Sequence, residues 1–159
     1  FVISKDISGR LVPASDTLKK NLSVYLNEFR LISDAVDVLD ASIVNIGINY
    51  TVTVDAAMNS ETTLNVINAT LGEYFKIKKW QIDQPIIMGE IENLILNAMG
   101  VVSILELSFV GKHGVQNGLV YSDMAFDTRR YMDRGYIFPP RGGMFEIKFP
   151  NDDIVGKVS

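Results

Sequence analysis

Cysteine is absent from the 159-residue sequence, and histidine occurs only once, as His113. The lack of cysteine excludes disulfides, thiol nucleophiles and thiolate metal ligands. His113 stands in a Gly-Lys-His-Gly turn sequence and has no second histidine with which to form a metal cluster. We therefore expect it to be a solvated turn residue, and the sequence predicts neither thiol chemistry nor a histidine metal centre.

Positive charge and long apolar runs are also scarce. Lys and Arg number 15 against 19 Asp and Glu, which gives a formal net charge of −4. General nucleic-acid binding needs surplus cations for the phosphates, so we expect no nucleic-acid partner. No apolar run approaches the roughly 18 residues that cross a bilayer, and we expect a soluble protein with no membrane partner. Hydrophobic residues still make up 47% of the chain, which predicts a substantial core.

Acidic residues are the remaining candidates for cation binding or acid–base chemistry. Asp34, Asp37 and Asp40 recur every three residues, and residues 151–153 read Asn-Asp-Asp. Neither set has the alternating oxygen ligands, central glycine and terminal glutamate of a calcium loop. We interpret both as solvated caps and turns. The sequence thus predicts no catalytic residue, no metal and no cofactor, in a protein that is not an enzyme.

The chain divides by composition into three parts. It opens at Phe1, without an initiator methionine or a basic-then-apolar leader, and we expect an upstream region to precede it. We predict an extended lead-in at 1–14, an α+β core domain at 15–110, and a loop- and hairpin-rich extension at 111–159. Within the extension, strands at 136–138 and 145–149 are expected to form a hairpin across its Pro- and Gly-rich middle.

Periodicity predicts the elements of the core domain. A helix begins near Ser15 with a stripe of apolar residues at helical spacing, and others begin near Asn59 and at about Ile87. A half-buried strand follows from the unbroken apolar alternation at 44–55. We expect a small antiparallel or mixed sheet with helices on one face, ferredoxin-like in plan, and a β-rich C-terminal extension. The predicted stripe of the first helix is Leu18, Leu22, Tyr25, Leu26 and Phe29.

Two stretches, 80–87 and 129–138, combine large side chains with little predicted regular structure. Arginines among aromatics can stack nucleic-acid bases, but they are equally typical of protein interfaces. Because the net charge is negative, we interpret them as interface segments, while Trp80 is left open between a core role and a subunit contact. The predicted interface residues are Trp80, Ile82, Pro85, Ile87, Arg129, Arg130, Tyr131, Arg134, Tyr136 and Phe138.

Several motifs together resemble one family, the large baseplate wedge proteins of T-even-type contractile phages, in the wider baseplate J-like group. The resemblance is to the C-terminal part of that family and extends over roughly residues 10–158. The resemblance rests on the order and spacing of the motifs, since each motif alone is weak. The motifs are SDTLKKNLSVYL at 15–26, RLISDAV at 30–36, VNIGINY at 44–50, YF at 74–75, WQIDQPI at 80–86, GVVS at 100–103 and FEIKFPNDDIVG at 145–156.

The resemblance implies a structural role in the virion, in the tail baseplate, after synthesis in the host cytoplasm. It implies a protein that forms the ring around the tail hub by pairing with itself, as a homodimer or ring, and with other wedge and hub proteins. The resemblance implies no catalytic residues for this chain. Two alternatives stay open from the residues alone: a ligand-binding regulatory α+β module, and a non-catalytic fragment of a larger enzyme.

Overall fold

The computed structural model describes residues 1–29 and 36–159. Asp34 of the acidic spacing, and nearly all of the family motif at 30–36, lie outside this part of the chain. The helices are α1 (Asp16–Asn27), α2 (Ser60–Tyr74), α3 (Met88–Leu96) and α4 (Pro150–Asp153), with a 3-10 turn at Ile77–Lys79. The strands are β1 (Ser4–Lys5), β2 (Leu11–Val12), β3 (Ser42–Val54), β4 (Ile86–Ile87), β5 (Val101–Lys112), β6 (Val115–Gln116), β7 (Leu119–Val120), β8 (Met132–Asp133), β9 (Tyr136–Ile137), β10 (Gly143–Glu146) and β11 (Ile154–Val158).

The central sheet is built around β3. One edge of β3 pairs antiparallel with β5, and the other pairs in parallel with β10 and then with β11. β10 and β11 are therefore two halves of one interrupted strand, separated by the short helix α4. Helices α2 and α3 supply side chains to the core beside this sheet. A mixed sheet with helices confirms the predicted α+β class.

The finer plan differs from the expectation. The ferredoxin-like plan is not confirmed, because α2 and α3 both lie between β3 and β5, whereas that plan places one helix in each of two repeats. The predicted hairpin between 136–138 and 145–149 is wrong. β9 pairs with β4 and β8, and β10 pairs with β3. The central sheet thus takes two of its strands from the predicted extension at 111–159.

Alternation along β3 places one face of the strand in the core. Val44, Ile46, Ile48, Tyr50 and Val52 are each 0–1% exposed, and Val54 at the end of the strand is half-buried. Facing the other way, Asn49, Thr51 and Thr53 are half-buried, as predicted for the wetter face. The alternation predicts that Asn45, which shares that face, is more exposed than the core-facing residues, but it is completely buried.

Side-chain caps begin two helices where the sequence predicts them. The Ser15 hydroxyl accepts a hydrogen bond from the Leu18 amide at 3.2 Å, and the Asn59 carbonyl oxygen accepts one from Thr62 at 2.9 Å. The two helices differ in how far they are buried: α2 has three buried residues, whereas α1 has none. Within the described residues the apolar stripe of α1 is therefore only partly covered: Leu22 and Leu26 are half-buried, and the other three members are exposed. None of the described helices is both long and apolar enough to span a membrane.

We expect the substitution Ile48→Ala to lower the free energy of unfolding by roughly 2–5 kcal/mol, because the side chain is fully enclosed in the centre of the sheet. Asn49→Ala, at the next position on the half-buried face, is the matched control and should cost much less. Urea unfolding of both variants measures the difference. A loss below about 0.5 kcal/mol for Ile48→Ala would show that the strand faces have been assigned the wrong way round.

Candidate functional site

The two predicted interface segments, far apart in sequence, meet in a second small sheet. Its strand order is β4–β9–β8, and all neighbouring strands are antiparallel. Ile87 of the first segment lies opposite Tyr136 of the second, and Ile86 lies opposite Ile137. The amide of Met88 also donates to the Gly135 carbonyl at 2.8 Å, which fixes the β8–β9 hairpin to the start of α3.

One face of this sheet presents aromatic side chains to solvent. Tyr131, Tyr136 and Phe138 are 39%, 41% and 45% exposed, a large fraction for side chains of this size. The rings of Tyr136 and Phe138 stack with centroids 6.0 Å apart, and Phe138 donates its amide to the Tyr131 carbonyl at 3.0 Å. We call this patch, with half-buried Ile87 at its side, the aromatic surface.

The opposite face of the same sheet is anchored in the core. Ile86 and Ile137 are both 0% exposed and belong to the main hydrophobic cluster. Tyr131 stacks on the buried Phe126 with centroids 4.8 Å apart, and Phe126 packs edge-on against Phe145 of β10. Because their neighbours are fixed in this way, the exposed rings are held in place rather than free to collapse onto the chain.

Arginines surround the aromatic surface. Arg129 and Arg130 are exposed just before Tyr131, and the Arg134 side chain, at the tip of the β8–β9 hairpin, is 92% exposed. Arg134 has φ 49° and Gly135 has φ 82°, the positive pair that a two-residue type I′ turn requires. Within the described residues, the one ion pair among these arginines is a 4.0 Å contact from Arg134 to Asp133. The patch is therefore apolar at its centre, and its rim carries three arginines together with one carboxylate, Asp133, whose side chain is 75% exposed.

The other members of the first segment lie inside the fold. Of the two roles left open for Trp80, the structure supports the core: the indole is 5% exposed and stacks on Phe75 with centroids 5.0 Å apart. Its ring N–H donates to the Tyr74 carbonyl at 3.1 Å. Ile82 is half-buried and packs against the core, and Pro85 is half-buried beside it in the chain. These three residues therefore do not form part of the aromatic surface.

A buried polar network lies on the wetter face of the central sheet. The carboxylate of Glu146 accepts hydrogen bonds from the Leu11 amide and from the side-chain amide of Asn45, both at 2.7 Å. Asn45 in turn accepts from the Ser122 amide at 2.7 Å. This network explains why Asn45 is buried. The chain segments around Leu11 and Ser122 cover that end of the sheet, which alternation alone does not predict.

A second buried carboxylate holds the same loop. Asp153, expected to be a solvated cap, is 1% exposed and accepts from the Tyr121 hydroxyl at 2.6 Å and from the Phe149 amide at 2.9 Å. Burial raises the pKa of Asp153 and that of Glu146 above their usual range, and the hydrogen bonds to each carboxylate offset part of this rise. Burial also raises the pKa of Tyr121.

A cleft of about 460 Å³ adjoins this network, lined by residues that include Asn45, Tyr121, Ser122 and Lys148. Every buried side-chain nitrogen and oxygen in the described part of the chain already has a hydrogen-bond partner within the chain. The buried polar groups beside the cleft thus bind one another or the backbone of the chain. In residues 1–29 and 36–159, no group of three or more His, Cys, Asp or Glu side chains is placed to hold a metal ion.

Comparison with known proteins adds no assignment to this geometry. No known protein-family model matches the chain. No curated protein is significantly similar to it in sequence. The aromatic surface is therefore the feature from which a function can be argued.

Sequence reasoning found the residues of the aromatic surface but missed their pairing. The sequence signal for the hairpin is the dipeptide Arg134-Gly135, which forms a two-residue loop with glycine in second place. One strand ends at Asp133 before this loop, and the next begins at Tyr136 after it. The signal for the Glu146 network is absent from the sequence, since Glu146 lies about a hundred residues from Asn45 and no local pattern joins them.

We expect Arg134→Asn to raise the free energy of unfolding by roughly 0.5–1 kcal/mol. The residue has positive φ, which strains most side chains, and Asn followed by Gly is favoured at a type I′ turn. Thermal and urea unfolding measure the gain. Arg130→Asn, at an exposed neighbouring position without positive φ, is the control and should leave stability within about 0.5 kcal/mol. Equal effects of the two substitutions would contradict the turn assignment.

The buried carboxylate of Glu146 gives a pH dependence with a definite sign. Its pKa is raised in the folded state, so that state holds the proton more tightly than the unfolded chain does. This contribution to stability is fully present below about pH 4.5, the usual value, and is lost as the pH rises through the folded pKa. The stability of the wild type relative to Glu146→Gln should therefore increase as the pH falls from 7 towards 4.5.

Urea unfolding at a series of pH values measures this difference for Glu146→Gln. Asp37→Asn, at an exposed carboxylate outside both buried networks, is the control and should leave the pH profile nearly unchanged. A wild-type advantage over Glu146→Gln that stays constant, or shrinks, as the pH falls would rule out the raised pKa.

Proposed function

We propose that this protein is a structural component of a contractile phage tail, a piece of a baseplate wedge that forms the ring around the tail hub by self-association. Its partners in this role are further copies of itself and other wedge and hub proteins. It acts as an assembly unit in the virion and not as a catalyst. The proposal needs only a rigid sheet with helices beside it, and it does not depend on a ferredoxin-like plan.

One observation carries the assembly part of the proposal: the exposed aromatic surface. An exposed patch of three aromatic side chains with an arginine rim has the composition of a protein interface, where Tyr, Phe and Arg are enriched. The patch is held rigid by Ile86 and Ile137 beneath it. The family resemblance of the sequence motifs supports the narrower assignment to a baseplate.

A ligand-binding regulatory module is the second candidate, and the cleft beside Tyr121 is the observation that favours it. Binding pockets are commonly 300–1,000 Å³ and hold a few polar groups that orient the ligand. The cleft has this size, but its buried polar groups already bind one another. We therefore rank this function below assembly.

We expect the wild-type chain to self-associate at micromolar concentration, burying on the order of 1,200 Å² or more in total. Tyr136→Ser combined with Phe138→Ser should weaken the association roughly 100-fold or more, since removal of two central aromatic anchors commonly costs about 2 kcal/mol each. Analytical ultracentrifugation over a range of concentrations measures the change.

The matched control is Val115→Ser combined with Val120→Ser. These two residues face each other across the β6–β7 hairpin, are 72% and 57% exposed, and lie outside the aromatic surface. The control should associate as the wild type does. A wild-type chain that remains monomeric at every concentration would refute self-association. An equal loss in both double variants would show only a general effect of exposed apolar area.

A further inference from the structure

The second edge of β5 is open. β3 pairs with one edge of β5 along its whole length. Near the C-terminal end of β5, the edge that does not face β3 has a hydrogen-bond partner: the Thr128 hydroxyl donates to the Phe109 carbonyl at 2.6 Å. From Val101 to Ser108, no strand in the described part of the chain pairs with this outer edge. Open edges of this kind attract further chain segments unless something blocks them.

Two β-bulges in the pairing of β5 with β3 expose apolar side chains beside this edge. The register between β3 and β5 shifts twice, and each shift leaves one extra residue on β5, Leu105 in one case and Val102 in the other. These side chains are 59% and 60% exposed. With Leu96 of α3, which is 45% exposed, they line a groove of about 460 Å³ between the helix and the strand.

The rim of the groove is anionic. Glu92 of α3 and Glu106 of β5 both line it and are exposed, and no lysine or arginine is among the lining residues. Neither carboxylate forms a salt bridge within residues 1–29 and 36–159. We call the patch of Glu92, Leu96, Val102, Leu105 and Glu106 the edge surface. It is apolar in the middle and acidic at the rim, which complements the aromatic surface with its arginines.

The two surfaces of one chain lie towards opposite ends of α3. The Gly135 carbonyl, at the tip of the hairpin that carries the aromatic surface, accepts from the Met88 amide that begins the helix. Leu96 ends the helix, eight residues and about 12 Å later, and belongs to the edge surface. Because both patches are anchored to the same rigid helix, they cannot close on each other and are available to neighbouring copies.

We propose that the edge surface of one copy receives the aromatic surface of the next, so that copies associate head to tail. This inference rests on the proposed function and names the partner of the aromatic surface: a second copy of this chain, bound through its groove between α3 and β5. Apolar side chains meet in the centre, and Arg129, Arg130 and Arg134 approach the carboxylates of Glu92 and Glu106. A head-to-tail contact uses two different patches, and it produces rings or open chains instead of closed pairs.

Two variants test the contact. The first, Glu92→Lys with Glu106→Lys, changes only the edge surface and places like charges against the arginines, so association should weaken at least tenfold. The second, Tyr136→Ser with Phe138→Ser, changes only the aromatic surface. Circular dichroism and thermal unfolding confirm that both fold. Glu28→Lys with Asp37→Lys makes the same change of net charge at exposed positions outside both surfaces and should associate as the wild type does.

Mixing the two variants gives the decisive result. At a concentration above the dissociation constant of the wild type but below those of the variants, each variant alone should sediment as a monomer, but an equimolar mixture should form a 1:1 dimer that grows no further. That dimer joins the intact aromatic surface of the first variant to the intact edge surface of the second. If the Glu→Lys variant associates as the wild type does, or if the mixture stays monomeric, the head-to-tail contact is wrong while self-association stands. If the wild type itself is a monomer, the proposed function fails and this contact falls with it.

Discussion

The single strand β3 is the constraint on which the rest of the structure depends. It is thirteen residues long, is hydrogen-bonded on both edges, and presents five consecutive alternate side chains to the core. A shift of its register by one residue would move all five to the wetter face and bring Asn45 and Gly47 into the core. The helices, the interrupted strand of β10 and β11, and the position of β5 all follow from this one alternation.

On the wetter face of β3, hydrogen bonds to two buried carboxylates determine the packing. Glu146 and Asp153 are taken out of water there, and neither forms a salt bridge with a cation in residues 1–29 and 36–159. Loss of hydration disfavours their charged forms, which is why their pKa values rise. Directed hydrogen bonds offset part of this cost. Since those bonds run to Leu11, Asn45 and Tyr121, the two carboxylates determine where the lead-in and the 113–123 loop attach.

The sequence predicts those features that depend on local patterns. The strand at 44–55 and the starts of α1 and α2 were found, because alternation and side-chain caps act within a few residues. The pairing of β10 and β11 with β3 was not found, because it joins segments about a hundred residues apart and each has only four or five residues. Asn45 shows the same limit of local patterns. Alternation predicts on which face of the strand its side chain lies, but contacts with distant segments decide whether that face is covered.

The candidate site shows a similar division. Composition identified the aromatic and arginine residues of 129–138, because their types alone suggest an interface. It did not separate Trp80, whose indole fills the core, from Ile87, which borders the aromatic surface. The edge surface is not predicted from the sequence, since the exposure of Val102 and Leu105 depends on two register shifts between β3 and β5 that no local pattern indicates.

Rigidity connects the core to the proposed assembly. Two chains that associate lose translational and rotational freedom, and any side chain that must be ordered adds to that cost. In this protein the fold already constrains the small sheet: Ile86 and Ile137 pack it against the core from below, and Tyr131 stacks on Phe126. Aromatic rings with two torsions have little freedom left to lose. In the proposed head-to-tail contact, the helix α3 connects this small sheet to the edge surface, so residues buried in the core of one chain would help to set the geometry of its contact with the next copy.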